Sequence, residues 1–171
     1  GVVGDFYNGA GGAANDYGVS FSGDTLALVD ADAGGSGNFA NEPSGDTIMF
    51  FVDADNAILN MAAGFINGFS FFYSSSVAAT VYVYDGLDGT GNILGSLHLD
   101  AQYDGNACAG DPTGQFCNWS IAGVDFMGTA KSINFAGGAN LTGFDNITFG
   151  SSNPGGGNVP EPTSLALVGA A

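Results

Sequence analysis

Basic residues are almost missing from this chain. Among 171 residues Lys131 is the one Lys or Arg, set against 17 acidic groups, for a net charge of −16. Nothing is available to neutralise phosphates, which excludes nucleic acid as a partner. The same balance disfavours anionic membrane surfaces. Glutamate is nearly as scarce, at Glu42 and Glu161 only, so the other 15 acids are Asp. Asp favours turns and caps whereas Glu, Lys and Arg populate exposed helix faces, so their scarcity argues against solvent-facing helices. Histidine occurs once, at His98, and cysteine twice, at Cys108 and Cys117. That inventory all but excludes a Cys/His zinc site. No Ser stands in a nucleophile elbow, and no stretch keeps a helical period. The start at Gly1, without Met or a basic leader, reads as a mature exported protein.

What is abundant is glycine, at 30 residues, together with 14 Phe and 6 Tyr. Residues 64–95 read as the organising stretch. There Phe69, Phe71 and Tyr73 alternate with Ser70, Phe72 and Ser74, and Val81 and Val83 alternate with Thr80, Tyr82 and Tyr84. A period of two in aromatic and β-branched residues marks pleated strands. The spacing predicts an aromatic hairpin, or two adjacent strands, broken at Ser74–Ser75–Ser76 and ending in the Gly/Asp loop after Tyr84. Further strands are expected at 17–22 and 25–30, joined as a hairpin through Gly23–Asp24. Others fall at 46–53, 57–62, 92–101, 118–124, 131–136 and 142–150. Ile48 to Val52 is apolar throughout, as in a strand buried on both faces. Roughly ten short strands with regular turn signals predict an all-β, antiparallel β-sandwich in jelly-roll style. The expected division is a 1–150 β-domain with a separate 1–12 segment, a 151–159 Gly/Asn/Ser linker, and a 160–171 tail.

That tail reads Val159-Pro160-Glu161-Pro162-Thr163-Ser164-Leu165-Ala166-Leu167. It resembles the PEP-CTERM sorting signal of exported proteins in matrix-forming Gram-negative bacteria. In that family a Pro-Glu-Pro motif precedes a membrane helix and a basic cluster, and an exosortase handles the protein. The resemblance implies an extracellular or cell-surface destination and says nothing of chemistry. The last strand, GFDNITFGS, is similar in style to the Gly/Phe-rich β-domains of that class. The chain departs from the pattern in showing no full membrane helix and no basic cluster; its apolar run is far too short to span a bilayer.

Leu165, Leu167 and Val168 at one end, and Val2, Val3, Phe6 and Tyr7 at the other, have the pattern of strands that could add to a neighbour's sheet edge. Head-to-tail addition would make an open filament. The two cysteines enclose a short polar loop and read as a disulfide formed in an oxidising compartment. Calcium is the cofactor best suited to the acid: Asp30 and Asp32, Asp53 and Asp55, and the pair Asp145 and Asp5 offer hard oxygen ligands at strand ends. The same Asp residues suit turn capping and solubility. Trp119, Tyr82 and Tyr84 are candidates for stacking on sugar rings, with Tyr103 and Phe116 behind them; equally they suit a core with wet rims. His98 and Asp100 share a strand face without a nucleophile.

The sequence therefore predicts a non-catalytic, exported structural protein of the cell surface or matrix, self-assembling through a terminal segment. Its partners would be copies of itself and extracellular polysaccharide. The alternative is a carbohydrate-binding β-sandwich module of the matrix.

Overall fold

A computed structural model describes residues 17–154. Eight strands lie in this part: β1 (Val19–Phe21), β2 (Thr25–Val29), β3 (Thr47–Phe51), β4 (Ile58–Ser75), β5 (Ala79–Tyr84), β6 (Ile93–Leu99), β7 (Ser120–Asn134) and β8 (Thr142–Phe149). Every strand pairing is antiparallel, in the order β2-β3-β8-β4-β7-β5-β6, with β1 on β4.

Two long strands turn this ladder into a jelly-roll-like sandwich. The start of β4 pairs with β1 and with the end of β7, which pairs in turn with β5. The end of β4 pairs with β8 and with the start of β7. One layer is thus β1-β4-β7-β5-β6 and the other β2-β3-β8-β4-β7, and both long strands run through each. The bend is visible in the register. Between Asn60↔Ser132 and Phe65↔Ala130, β4 advances five residues while β7 advances two. Surplus residues on one strand bend it and increase its twist. Gly64 (φ 76°), Asn67 (φ 78°) and Gly128 (φ 92°) supply left-handed backbone at this bend, where a Cβ is costly. At Gly64 a Cβ would also overlap the Thr129 side chain.

The inner faces meet in one aromatic core. Phe51, Phe69, Phe71, Phe135 and Phe144 are fully buried, with Val81, Val83, Leu99 and Ile133 from the opposite layer. Phe135 stacks on Phe51 at 4.9 Å and meets Phe144 edge-on at 4.8 Å. Offset and edge-to-face geometries are those the ring quadrupole favours. A second, smaller core lies on the outer face of β3: Ile48, Phe39 and Phe116, with Leu28, Phe50 and Trp119 packed against them. Alternate β3 residues therefore face two different cores, as an uninterrupted apolar run requires. Loop residues 30–46 and the disulfide loop close over this second core, and the Ala40 N–H donates to the Phe116 carbonyl at 3.2 Å.

Three expectations are corrected. The segments at 57–62 and 69–74 are one strand of 18 residues, and those at 118–124 and 131–136 one of 15; Gly64 and Gly128, in left-handed backbone, bend these strands without ending them. The Gly23–Asp24 turn does not make a β1–β2 hairpin, because β1 joins β4 and β2 joins β3. Nor do β4 and β5 form the central hairpin: the chain passes from one layer to the other after Ser75, and β5 pairs with β6 and β7. The segment 1–12, most of the 151–159 linker and the whole 160–171 tail lie outside the described residues.

Candidate functional site

Two places in the described chain gather chemistry-bearing side chains. One is the outer face of the β1-β4-β7-β5-β6 layer. Val81 and Val83 point into the core, so Thr80, Tyr82 and Tyr84 point out. Cross-strand register then lines up one outer row as Ile58, Asn134, Tyr82 and Ser96, and the next as Ser20, Asn60, Ser132 and Tyr84. Tyr82 is exposed, and its ring lies 6.5 Å from that of Tyr84 at 57°.

The Gly/Asp loop after Tyr84 folds over the second row. Asp88 N–H donates to Asn60 Oδ1 at 2.8 Å, and Asn60 Nδ2 donates back to Asp88 Oδ1 at 2.6 Å. Gly89 N–H donates to Ser132 Oγ at 2.9 Å, and that hydroxyl donates to the Gly86 carbonyl at 2.6 Å. Asp85 closes the loop by accepting from the Asn92 N–H (2.7 Å) and Nδ2 (2.9 Å). These bonds from Asn92 hold the Asp85 carboxyl below its ordinary range. The result is an open aromatic platform with amides and hydroxyls beside it and a hydrogen-bonded loop along one edge.

Trp119 and Phe116 are not on this platform. The indole Nε1–H donates to the Ala40 carbonyl at 2.9 Å and its ring packs near Phe39, while Phe116 is buried. Their polar or apolar needs are met by the second core. Tyr103 is exposed, in the loop before Cys108. His98 Nε2 sits 3.3 Å from Asp100 Oδ1, with both side chains well exposed to water.

The other place is acidic. Asp30 at the end of β2, with Asp32 and Glu42 from the loop that follows, bring one carboxylate oxygen each within 4.8 Å of one another. It is the one such group of three among the described residues. Asp30 is 1% exposed, and neither of its carboxylate oxygens has a hydrogen-bond donor. Burial first, and then the neighbouring Glu42, push its carboxyl above the ordinary range; Asp32 is raised as well, by desolvation and by Asp30. Glu42 was not among the residues singled out from sequence. Ten residues and a loop separate it from Asp32, and no local spacing connects them.

The remaining acidic candidates serve the backbone. Asp53 caps a short 3-10 turn by accepting from Asp55 N–H at 2.9 Å, and Asp55 lies exposed in that turn. Asp145 accepts from Ser44 N–H at 2.9 Å, from Ser44 Oγ at 3.1 Å and from Asn146 N–H at 2.7 Å. Burial nevertheless raises it, outweighing those bonds. Its supposed companion Asp5 lies outside the described residues, as do Val2, Val3, Phe6, Tyr7, Leu165, Leu167 and Val168. Cys108 and Cys117 form the expected disulfide. Inside that loop Asp111, fully buried, accepts from Thr113 N–H (2.9 Å), Thr113 Oγ1 (2.6 Å) and Phe116 N–H (2.7 Å). Burial pushes Asp111 up, but these donors prevail and hold it below the ordinary value. Among the described residues no helix is long and apolar enough to cross a membrane.

No protein-family model matches the chain, and no curated protein matches it in sequence. Solved structures of similar outline include a family 6 carbohydrate-binding module, 16% identical, with a TM-score of 0.46 over 77% of this chain and 85% of the other. A β-1,3-glucan-binding family 6 module from Bacillus halodurans is 14% identical, with a TM-score of 0.45 over 81% and 91%. A family 43 arabinoxylan arabinofuranohydrolase from Bacillus subtilis is 17% identical at 0.45; the match covers 76% of this chain and 25% of the enzyme.

Proposed function

We propose that this is a carbohydrate-binding β-sandwich module, non-catalytic, that meets extracellular polysaccharide through the Tyr82–Tyr84 face. The observation that carries the reading is the pair of exposed Tyr82 and half-buried Tyr84 on an open sheet face, flanked by Ser96, Asn134, Thr80 and His98. A sugar ring offers an apolar face for an aromatic ring and hydroxyls for amide and hydroxyl partners, and this surface supplies both. Its neighbours are pinned from below by β-sheet register and at one edge by the Asp85–Asn92 bonds, so little order remains to be imposed on binding. A disulfide is compatible with an oxidising, extracellular setting. The export route would be the exosortase type that the Pro160-Glu161-Pro162 tail resembles. Self-assembly by strand addition rests on terminal segments outside the described residues, and no described feature favours it over glycan binding.

The test is affinity electrophoresis of the native protein through gels containing soluble β-glucans, xylans and bacterial exopolysaccharide, beside Tyr82→Ala and Tyr84→Ala. Retardation by at least one glycan, lost in Tyr82→Ala while the unfolding midpoint stays within a degree or two, is the expected outcome. Absence of retardation by every glycan, or equal retardation of native protein and both variants, would overturn the assignment.

A further inference from the structure

We infer that Asp30, Asp32 and Glu42 form a site for a single hard divalent cation, calcium in preference to magnesium, which pins the two ends of the loop after β2 to each other. The inference is independent of the glycan-binding reading.

Asp30 is the anchor. Its carboxylate is almost wholly withdrawn from water, yet no protein donor meets either oxygen in hydrogen-bond geometry; the Ala31 N–H and the Asp32 and Glu42 carboxyls are its polar neighbours. Asp111 and Asp145, the other buried acids, accept three or more donors each. A buried carboxylate without donors is costly, and a cation is the partner that satisfies it. Glu42 Oε2 is likewise buried and unpartnered. Three carboxylates converging on one point repel each other, and the one Lys of the chain, Lys131, forms no ion pair among the described residues.

The donor set is all oxygen, as hard cations require. The three carboxylate oxygens lie within 4.8 Å of one another, close enough to share one ion. The ligands also sit on a Gly-rich loop that can adjust, which suits calcium's loose geometry better than magnesium's strict octahedron. Backbone carbonyls and water would complete the shell.

The surroundings are built around Asp30. The Gly35 N–H donates to its main-chain carbonyl at 2.6 Å and the Asp30 N–H donates to Asp46 at 3.1 Å, which fixes where the loop leaves β2. From the other side comes Gly110 of the disulfide loop, in left-handed backbone (φ 93°). A Cβ there would stand 3.4 Å from Asp30 Oδ1 and 3.1 Å from Ala40 Cβ. Both loops therefore close on the carboxylate, and a cation at this point would brace the loop after β2 where it packs against Gly110.

Trp119 makes the test direct. It is the only Trp in the chain, and it is anchored to Ala40, two residues from Glu42. Excitation of Trp119 in the presence of Tb3+ is expected to give sensitised lanthanide luminescence that saturates at one equivalent and is displaced by Ca2+. In parallel, calcium at one hundred times its Kd is expected to raise the melting temperature by about 5–10 °C over that in chelator. Asp30→Asn and Glu42→Gln should each weaken calcium binding at least tenfold and remove the thermal shift, while Asp53→Asn binds as the native protein does. Asp30→Asn should also melt higher than native protein in chelator, because repulsion is relieved. The proposal is overturned if native protein shows no calcium-dependent thermal shift. It is equally overturned if Glu42→Gln, folded by near-ultraviolet circular dichroism, binds calcium as tightly as native; that variant decides the matter should Asp30→Asn fail to fold.

Discussion

Replacing Asp111 with asparagine tests how the loop over the second core is held. The native carboxylate is fully buried and takes three donors on its two oxygens: Thr113 N–H and Oγ1–H on one, and Phe116 N–H on the other. Asparagine keeps the shape but only one acceptor. If that oxygen faces Thr113, the Phe116 N–H points at an NH2 group, and an unsatisfied buried donor costs about 1–3 kcal/mol. The bonds that survive become neutral rather than charge-assisted, which removes roughly another 1 kcal/mol. Against this, a neutral amide is cheaper to bury than a carboxylate. The balance is a loss of about 2–3 kcal/mol at neutral pH. The pH dependence has a definite sign. The folded state holds this carboxyl below its ordinary value of 3.8, so its contribution is complete above that value and is lost as pH falls through the lower, folded value. Urea unfolding of native and variant proteins, from neutral pH down into the acid range, reads the difference directly. A difference below about 1 kcal/mol at neutral pH would refute the hydrogen-bond argument. So would a difference that stays constant into acid.

Other expectations concern the same framework. Replacing Cys108 and Cys117 together by Ser opens a cross-link of sequence separation 9, and chain entropy alone puts the cost at about 2.5–3 kcal/mol by urea unfolding. Gly143→Ala pushes a Cβ into the Phe39 ring; overpacking of this kind costs about 1–3 kcal/mol, and the Trp119 near-ultraviolet signal should change with it. Phe71→Ala empties a fully buried aromatic site between Phe69, Phe135 and Phe144 and is expected to cost about 3–5 kcal/mol. Asp145 has the opposite pH sign to Asp111. Burial raises its folded value, so its contribution is complete below 3.8 and is lost as pH rises through the raised value. Asp145→Asn should flatten that part of the stability profile, and an unchanged slope would contradict it.

The class of fold was written in local pattern. Alternation at Phe69–Phe71–Tyr73 and Val81–Val83, the scarcity of Glu, Lys and Arg, and the apolar run of β3 each specify strands, because side chains alternate across a pleat whatever the strand's partner. The disulfide was legible too, since two cysteines nine residues apart leave no other choice within the chain. Pairing was not. Which strand neighbours which depends on contacts far apart in sequence, so the local hairpin signals at Gly23–Asp24 and after Ser74 were outvoted by β4 and β7 running through both layers. Gly64 and Gly128 look alike in a sequence whether they end a strand or bend it, and only the bond ladder on either side distinguishes the two. The same limit governs the sites. Tyr82 and Tyr84 could be named from their strand, but Trp119 shares their chemistry and was drawn into the second core by Phe39 and Ala40. Asp30 and Asp32 could be named from their spacing, yet so could Asp53 and Asp55. What separates the pairs is burial and the arrival of Glu42, and both are consequences of how a glycine-rich loop packs under the disulfide. Residue type and period act over a few neighbours; desolvation and ligand convergence are properties of the closed chain.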